Sequence, residues 1–231
     1  MKQFRFPITI FATALFCFGA ASAQTGFPFQ NESLRYNINY PSGLSLGDAT
    51  MTASKGASGW NFEVTLDAGV PGFAIRDKYR SSTEGDLCST QLERETSHGS
   101  KKTREKTAFD QKKGTARRTT TLPENGGFTD FDIAACAKDA LAFVYLARRE
   151  MGQGRVAPPD KVFFGSAYTV RMEYTGAMNV GTVVTDRVVV SGKGPKADFT
   201  FEIFFARDAA RTPFQIKIPV AIGTLSLDLV R

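Results

Sequence analysis

One histidine and three cysteines bound the chemistry open to this 231-residue chain. A multi-histidine metal site is impossible, and so is a relay in which one imidazole orients another. The histidine, His98, sits in Ser97-His98-Gly99-Ser100. That is a turn sequence, where an imidazole is usually solvated rather than held as a base. No H-E-x-x-H, G-x-S-x-G or G-x-x-x-x-G-K-[ST] pattern occurs. Gly192-Lys193-Gly194-Pro195 has the composition of a phosphate loop, but Pro195 between two strand-like segments makes it a turn. Glu93 and Glu95 share one face of an alternating segment, an arrangement common on solvated strands. The residue types therefore argue against an enzyme, and they call for no metal and no cofactor.

Three other groups of residues could meet a partner or shape the fold. The first is Cys88 with Cys136, an even pair once Cys17 is set aside. The second is the run from Arg94 to Arg118, which carries nine basic and three acidic residues. The whole chain has a formal charge of +6, so the basic surplus is a local feature. Lys101, Lys102, Lys112 and Lys113 would form a docking surface for an anionic envelope component or lipid headgroup. The alternative is a solvated hairpin whose lysines discourage edge-to-edge pairing. Nucleic acid is a poor partner, because the run lacks the aromatics that base stacking needs. The third group is Leu141, Phe143, Val144 and Leu146, which could line a site for an apolar ligand.

The elements that must position these residues are mostly strands. Apolar and polar residues alternate through Leu34–Tyr40, Trp60–Leu66, Tyr168–Tyr174, Phe199–Phe205 and Ile216–Leu229. Alternation of this kind marks an antiparallel sheet with one solvated face. About eleven or twelve such segments are expected, and a sheet of that size curls or splits. The expected fold is mainly β: a strongly curved antiparallel sheet or barrel with its aromatic faces inward. Gly47 breaks one alternation between Leu46 and Ala49, which reads as a bulge that bends the sheet.

Lys138 to Met151 alone has helical character, with Asp139 near its start, Arg148 and Arg149 near its end, and Gly152 beyond. The helical insertion is expected at about 137–151, between loops at Leu122–Ala134 and Gly152–Asp160. From Ala140 to Ala147 it is apolar on every side, so it is buried on more than one face, as a lid or as a packing element.

The first 23 residues carry an address. Lys2 and Arg5 precede the apolar run Ile8–Gly19, and Ala21-Ser22-Ala23 forms an A-x-A cleavage site. The run is shorter than the roughly 20 residues a membrane helix needs. Phe16 before Cys17 does not suit a lipoprotein signal, so Cys17 belongs to the discarded segment. Cleavage after Ala23 would leave residues 24–231 as one β-rich domain in the periplasm or secreted, with no transmembrane segment. Export to an oxidising compartment makes Cys88 and Cys136 a disulfide candidate, with two buried free thiols as the alternative.

Several motifs resemble a known family. Glu32-Ser33-Leu34-Arg35-Tyr36-Asn37-Ile38, Gly47-Asp48-Ala49, Cys136-Ala137-Lys138-Asp139-Ala140-Leu141 and Arg211-Thr212-Pro213-Phe214-Gln215-Ile216 are similar to the bacterial envelope family catalogued as domain of unknown function 3108. The resemblance implies an exported β-rich protein and carries no catalytic residue. The expected function is an envelope protein that binds or carries an apolar or lipid ligand. The alternative is a structural or interaction protein with a basic docking hairpin and no ligand.

Overall fold

Alternating sequence becomes extended backbone along most of the chain in the computed structural model, which describes residues 29–70, 72–195, 197–220 and 223–231. The expected signal segment 1–23, with Cys17, lies outside the described residues. The strands are β1 (Glu32–Asn39), β2 (Ser45–Lys55), β3 (Trp60–Val70), β4 (Phe73–Glu84), β5 (Cys88–His98), β6 (Lys101–Asp110), β7 (Thr115–Leu122) and β8 (Phe128–Asp132). After β9 (Lys138–Asp139) comes the helix α1 (Ala140–Gly152). Then follow β10 (Asp160–Phe163), β11 (Ala167–Val180), β12 (Val183–Lys193), β13 (Phe199–Ala206), β14 (Pro213–Val220) and β15 (Gly223–Leu229).

All fifteen strands form one sheet, ordered β8-β7-β6-β5-β4-β3-β2-β1-β15-β14-β13-β12-β11-β10-β9. The chain therefore starts in the middle of the sheet, builds one wing outward, crosses through α1 and builds the other wing back. Every neighbouring pair is antiparallel except β9 with β10. The count exceeds the eleven or twelve expected, because β9 and β10 are too short to show a period. β8 lies inside the segment expected to be the loop Leu122–Ala134.

The sheet is curved and open rather than a hydrogen-bonded barrel. Bulges interrupt the ladders at Ile38/Asn39, Ser82/Thr83, Arg104/Glu105, Tyr174/Gly176 and Phe204/Phe205, and each adds twist. The first lies opposite Gly47, where the sequence places it. Gly47 has φ +147°, and a Cβ there would strike the carbonyl of Asp67. Side chains then bring the wings together. Phe163 of β10 meets the rings of Phe109 (5.6 Å) and Phe131 (5.7 Å) edge-on. Phe164 lies 5.1 Å from Tyr79, under the guanidinium of Arg94. Behind these contacts, the Ser89 N–H donates to the Ala137 carbonyl at 3.0 Å. Cys88 and Cys136 form the expected disulfide, with Cα atoms 4.5 Å apart, and so tie β5 to the segment entering β9.

The core is the concave face. Tyr36 and Ile38, Ala49 and Met51, Phe62, Leu92, Val170, Val188 and Ile203 are all buried there. The helix lies in this concavity. It begins at Ala140 rather than Lys138, because Lys138 and Asp139 pair with Val162 and Phe163 as β9. It also ends later than Met151. Gly152 is helical, Gln153 is the C-cap, and Gly154 takes the left-handed conformation (φ +75°) usual after a helix end.

Candidate functional site

Both ends of α1 are pinned by buried polar groups, which fixes what its middle can face. At the N-terminus, Asp139 Oδ1 accepts the N–H groups of Leu141 (2.9 Å) and Ala142 (3.1 Å). These are two of the donors that a helix start leaves unpaired. Oδ2 accepts the hydroxyls of Ser81 (2.6 Å) and Ser89 (2.7 Å) from β4 and β5. Burial pushes the Asp139 carboxyl up, although all four hydrogen bonds pull the other way.

Near the C-terminus the fully buried Arg148 makes two 2.6 Å hydrogen bonds to Glu32 of β1 and a third, at 3.1 Å, to the Ala210 carbonyl. Its guanidinium lies 4.1 Å from the centroid of Phe29. Tyr145 donates to Glu32 at 3.3 Å and stacks on Phe62 at 4.1 Å. Burial raises the Tyr145 and Tyr36 hydroxyls above the usual range, so both remain protonated donors.

With Tyr145 and Arg148 turned toward β1 and β3, the opposite side of α1 is left over. Ala140, Phe143, Val144 and Ala147 recur at i, i+3, i+4 and i+7, which is one face of a helix. This face does not close onto the sheet. Between it and β10–β14 lies a cavity of about 590 Å³. Its far wall is Val162, Phe164, Tyr168, Val170, Met172 and Val190, completed by Phe199, Phe201 and Ile203 of β13 and by Ile218 of β14. Phe199 sits between Tyr168 (5.4 Å) and Phe201 (5.8 Å). Polar side chains gather at one end, where Asp198 and Thr200 follow the β12–β13 turn. The volume and the apolar wall with few polar groups are those of a small-molecule site.

Of the four helix residues expected to face a ligand, Phe143 and Val144 line this cavity. Leu141 and Leu146 are buried elsewhere in the core. Ala140 and Ala147, which do line it, are not among the residues expected from the sequence: an all-apolar helix shows no preferred face. The facing residues on β10–β14 carry the same alternation as any core strand, so nothing local marks them.

The four lysines do not form one surface. Lys101 and Lys102 open β6, whereas Lys112 and Lys113 lie in the turn beyond its far end. The strand between them is about 30 Å long. Lys113 pairs with Asp110 at 3.0 Å. Most of the other basic residues in the run meet acids on neighbouring strands. Arg94 bonds Glu105 (2.8 Å), Arg104 bonds Glu95 (3.2 Å), and Arg117 bonds Asp130 (2.7 Å). Arg80 joins Glu63, Glu93 and Glu95 into a cross-strand ladder. His98 is the last residue of β5 rather than a free turn residue, and it contacts Asp77 at 2.9 Å. Among the described residues no group of three or more His, Cys, Asp or Glu side chains converges as a metal would require.

No curated protein matches the chain. No solved structure matches it either. A family model described as a protein of unknown function does match, over residues 35–230, and it spans both wings of the sheet and the helix between them. By that match the chain belongs to the family DUF3108.

Proposed function

We propose that this is an exported envelope protein that carries one apolar chain, such as the acyl chain of a lipid, between α1 and β10–β14. The observation that supports the reading is the cavity of about 590 Å³ with its nearly continuous aliphatic and aromatic wall. An apolar chain placed there loses its contact with water without stranding a buried polar group. Asp198 and Thr200, at one end, provide a polar place for a headgroup. The A-x-A signal and the disulfide fit a protein that works outside the reducing cytoplasm. The ion-pair ladder leaves little free charge in the middle of the basic hairpins, which weakens the alternative of a docking hairpin without a ligand.

The test is uptake of a fluorescent fatty acid by delipidated protein, beside native mass spectrometry of protein taken from its own host. Wild type should take up the probe. Val144→Trp places a large ring in the cavity from a half-buried position, and uptake should fall roughly tenfold or more with the fold retained. No uptake by wild type, or equal uptake by the variant, would overturn the reading.

A further inference from the structure

The two ends of the sheet differ in character. Antiparallel order puts the β1–β2, β3–β4, β5–β6, β7–β8, β12–β13 and β14–β15 turns and the β10–β11 connection at one end. The cavity reaches that end, because Asp198, Phe199 and Pro219 border two of these turns. Four of the hairpins are consecutive neighbours in the sheet: β14–β15, β1–β2, β3–β4 and β5–β6. They also touch. Gly223 lies against Pro41, the Phe73 ring covers Gly99, and the Gly99 N–H donates to the Ala74 carbonyl at 2.8 Å.

Along this arc large apolar side chains stand in solvent: Leu44 is 61% exposed, Val70 51%, Phe73 47% and Val220 38%. Large apolar side chains exposed together at one end of a sheet mark an interaction surface. No acid occurs in residues 40–45, 70–74, 98–102 or 219–224. Lys101 and Lys102 sit at the end of the arc beside Phe73, and Lys193 closes the β12–β13 hairpin next along. None of the three makes an ion pair with a described residue. The opposite end also exposes Met178 and Val184, but there Asp86 and Asp208 lie in two of the turns and Asp110 ends β6, whereas at the rim end the connection acids Asp198 and Glu124 lie outside these four hairpins.

Four consecutive hairpins with apolar tips and no acid, edged by the unpaired Lys101 and Lys102, suit one kind of partner: an anionic phospholipid surface. The tips enter the interfacial layer and the ammonium groups meet lipid phosphates. We propose that this rim docks the protein on an anionic bilayer, with Leu44, Val70, Phe73 and Val220 inserted and Lys101, Lys102 and Lys193 on the headgroups. Docking in this orientation turns the Asp198 end of the cavity toward the membrane. In that respect the inference deepens the carrier reading and rests on it, while the docking itself is measured separately.

The experiment is binding of the exported, processed protein to vesicles of phosphatidylcholine with phosphatidylglycerol, and to phosphatidylcholine alone. Wild type should bind the mixed vesicles, and binding should fall with added salt. Lys101→Gln with Lys102→Gln should weaken it roughly 25-fold. Val70→Ser with Phe73→Ser should weaken it at least tenfold, whereas Lys112→Gln with Val184→Ser, at the opposite end, should leave it unchanged. Phe73→Trp adds a probe at the rim, and its emission should shift to the blue on binding. No binding by wild type would overturn the proposal, as would equal losses from the two ends or a rim tryptophan without a shift. Fatty-acid uptake is read in the same samples. Uptake without vesicle binding overturns docking and leaves the carrier reading. Vesicle binding that depends on the rim, without uptake, supports docking and overturns the carrier reading.

Discussion

At the scale of single residues, the buried polar groups decide where the helix sits. Asp139 gives both carboxylate oxygens to hydrogen bonds, so asparagine is the substitution that separates its shape from its charge. In Asp139→Asn the side chain keeps an oxygen for the N–H groups of Leu141 and Ala142, and turns its amide toward two serine hydroxyls that can accept. Burial raises the carboxyl in the folded protein above its unfolded value of about 3.9. Stability tied to that proton is therefore complete below the unfolded value and is lost as pH rises through the folded value. The asparagine variant lacks this loss. Relative to wild type it should gain stability in urea melts as pH rises above about 4, and a difference that stays constant with pH would reject the shift. Arg148 shows why such residues escape a reading of the sequence alone. Next to Arg149 at a helix end it looks like a partner for the helix dipole, yet it is the largest fully buried side chain among the described residues. Its partner Glu32 is 116 positions away, and no local pattern announces that distance.

At the scale of elements, α1 has two sides with different duties, and paired truncations should tell them apart. Leu146 is packed in the core away from the cavity, so Leu146→Ala should cost about 2–5 kcal/mol in denaturant melts and leave probe uptake unchanged. Phe143 lines the cavity wall, so Phe143→Ala should enlarge the site and shift preference toward longer fatty-acid probes. Identical effects of both truncations on uptake would remove the distinction. The helix itself is legible from composition, charge order and the absence of internal Gly and Pro. Its orientation is not, because eight apolar residues in succession present every face equally. The long strands are legible for the opposite reason: a period of two admits one buried face, and β1 and the first half of β3 follow it, whereas β13 buries Ile203, Phe204 and Phe205 in succession at its bulge. The β8 edge strand escapes the sequence because Pro123, Gly126 and Gly127 beside it signal a turn, which is correct for the β7–β8 connection but hides the five strand residues after it.

At the scale of the whole molecule, charge and curvature are both properties of strand pairing. The surplus of six between Arg94 and Arg118 is real in the sequence, but Glu93 and Asp130, which pair with Lys106 and Arg117, lie outside that run and across from it in the sheet. Only register reveals that they pair, and only register separates Lys101 and Lys102 from Lys112 and Lys113. The disulfide acts at this same scale, because it joins the two wings that the ladder leaves open. Cys88 begins β5, at the end of that strand away from the proposed docking rim, and Cys136 leads into β9 on the other wing. The two are 48 positions apart, and constraining a loop of that size in the unfolded chain contributes up to about 4 kcal/mol. Cys88→Ser with Cys136→Ser should therefore lower stability by as much as that amount. Below its new melting temperature the variant should still take up the fatty-acid probe, because neither cysteine lines the cavity, and the aromatic contacts of Phe163 and the Asp139 hydrogen bonds still hold the second wing and α1 in place. Thermal melts of oxidised, reduced and double-serine protein, each followed by probe uptake in the folded range, check both halves. Loss of uptake while the fold persists would mean that the disulfide shapes the cavity as well as stabilising the sheet.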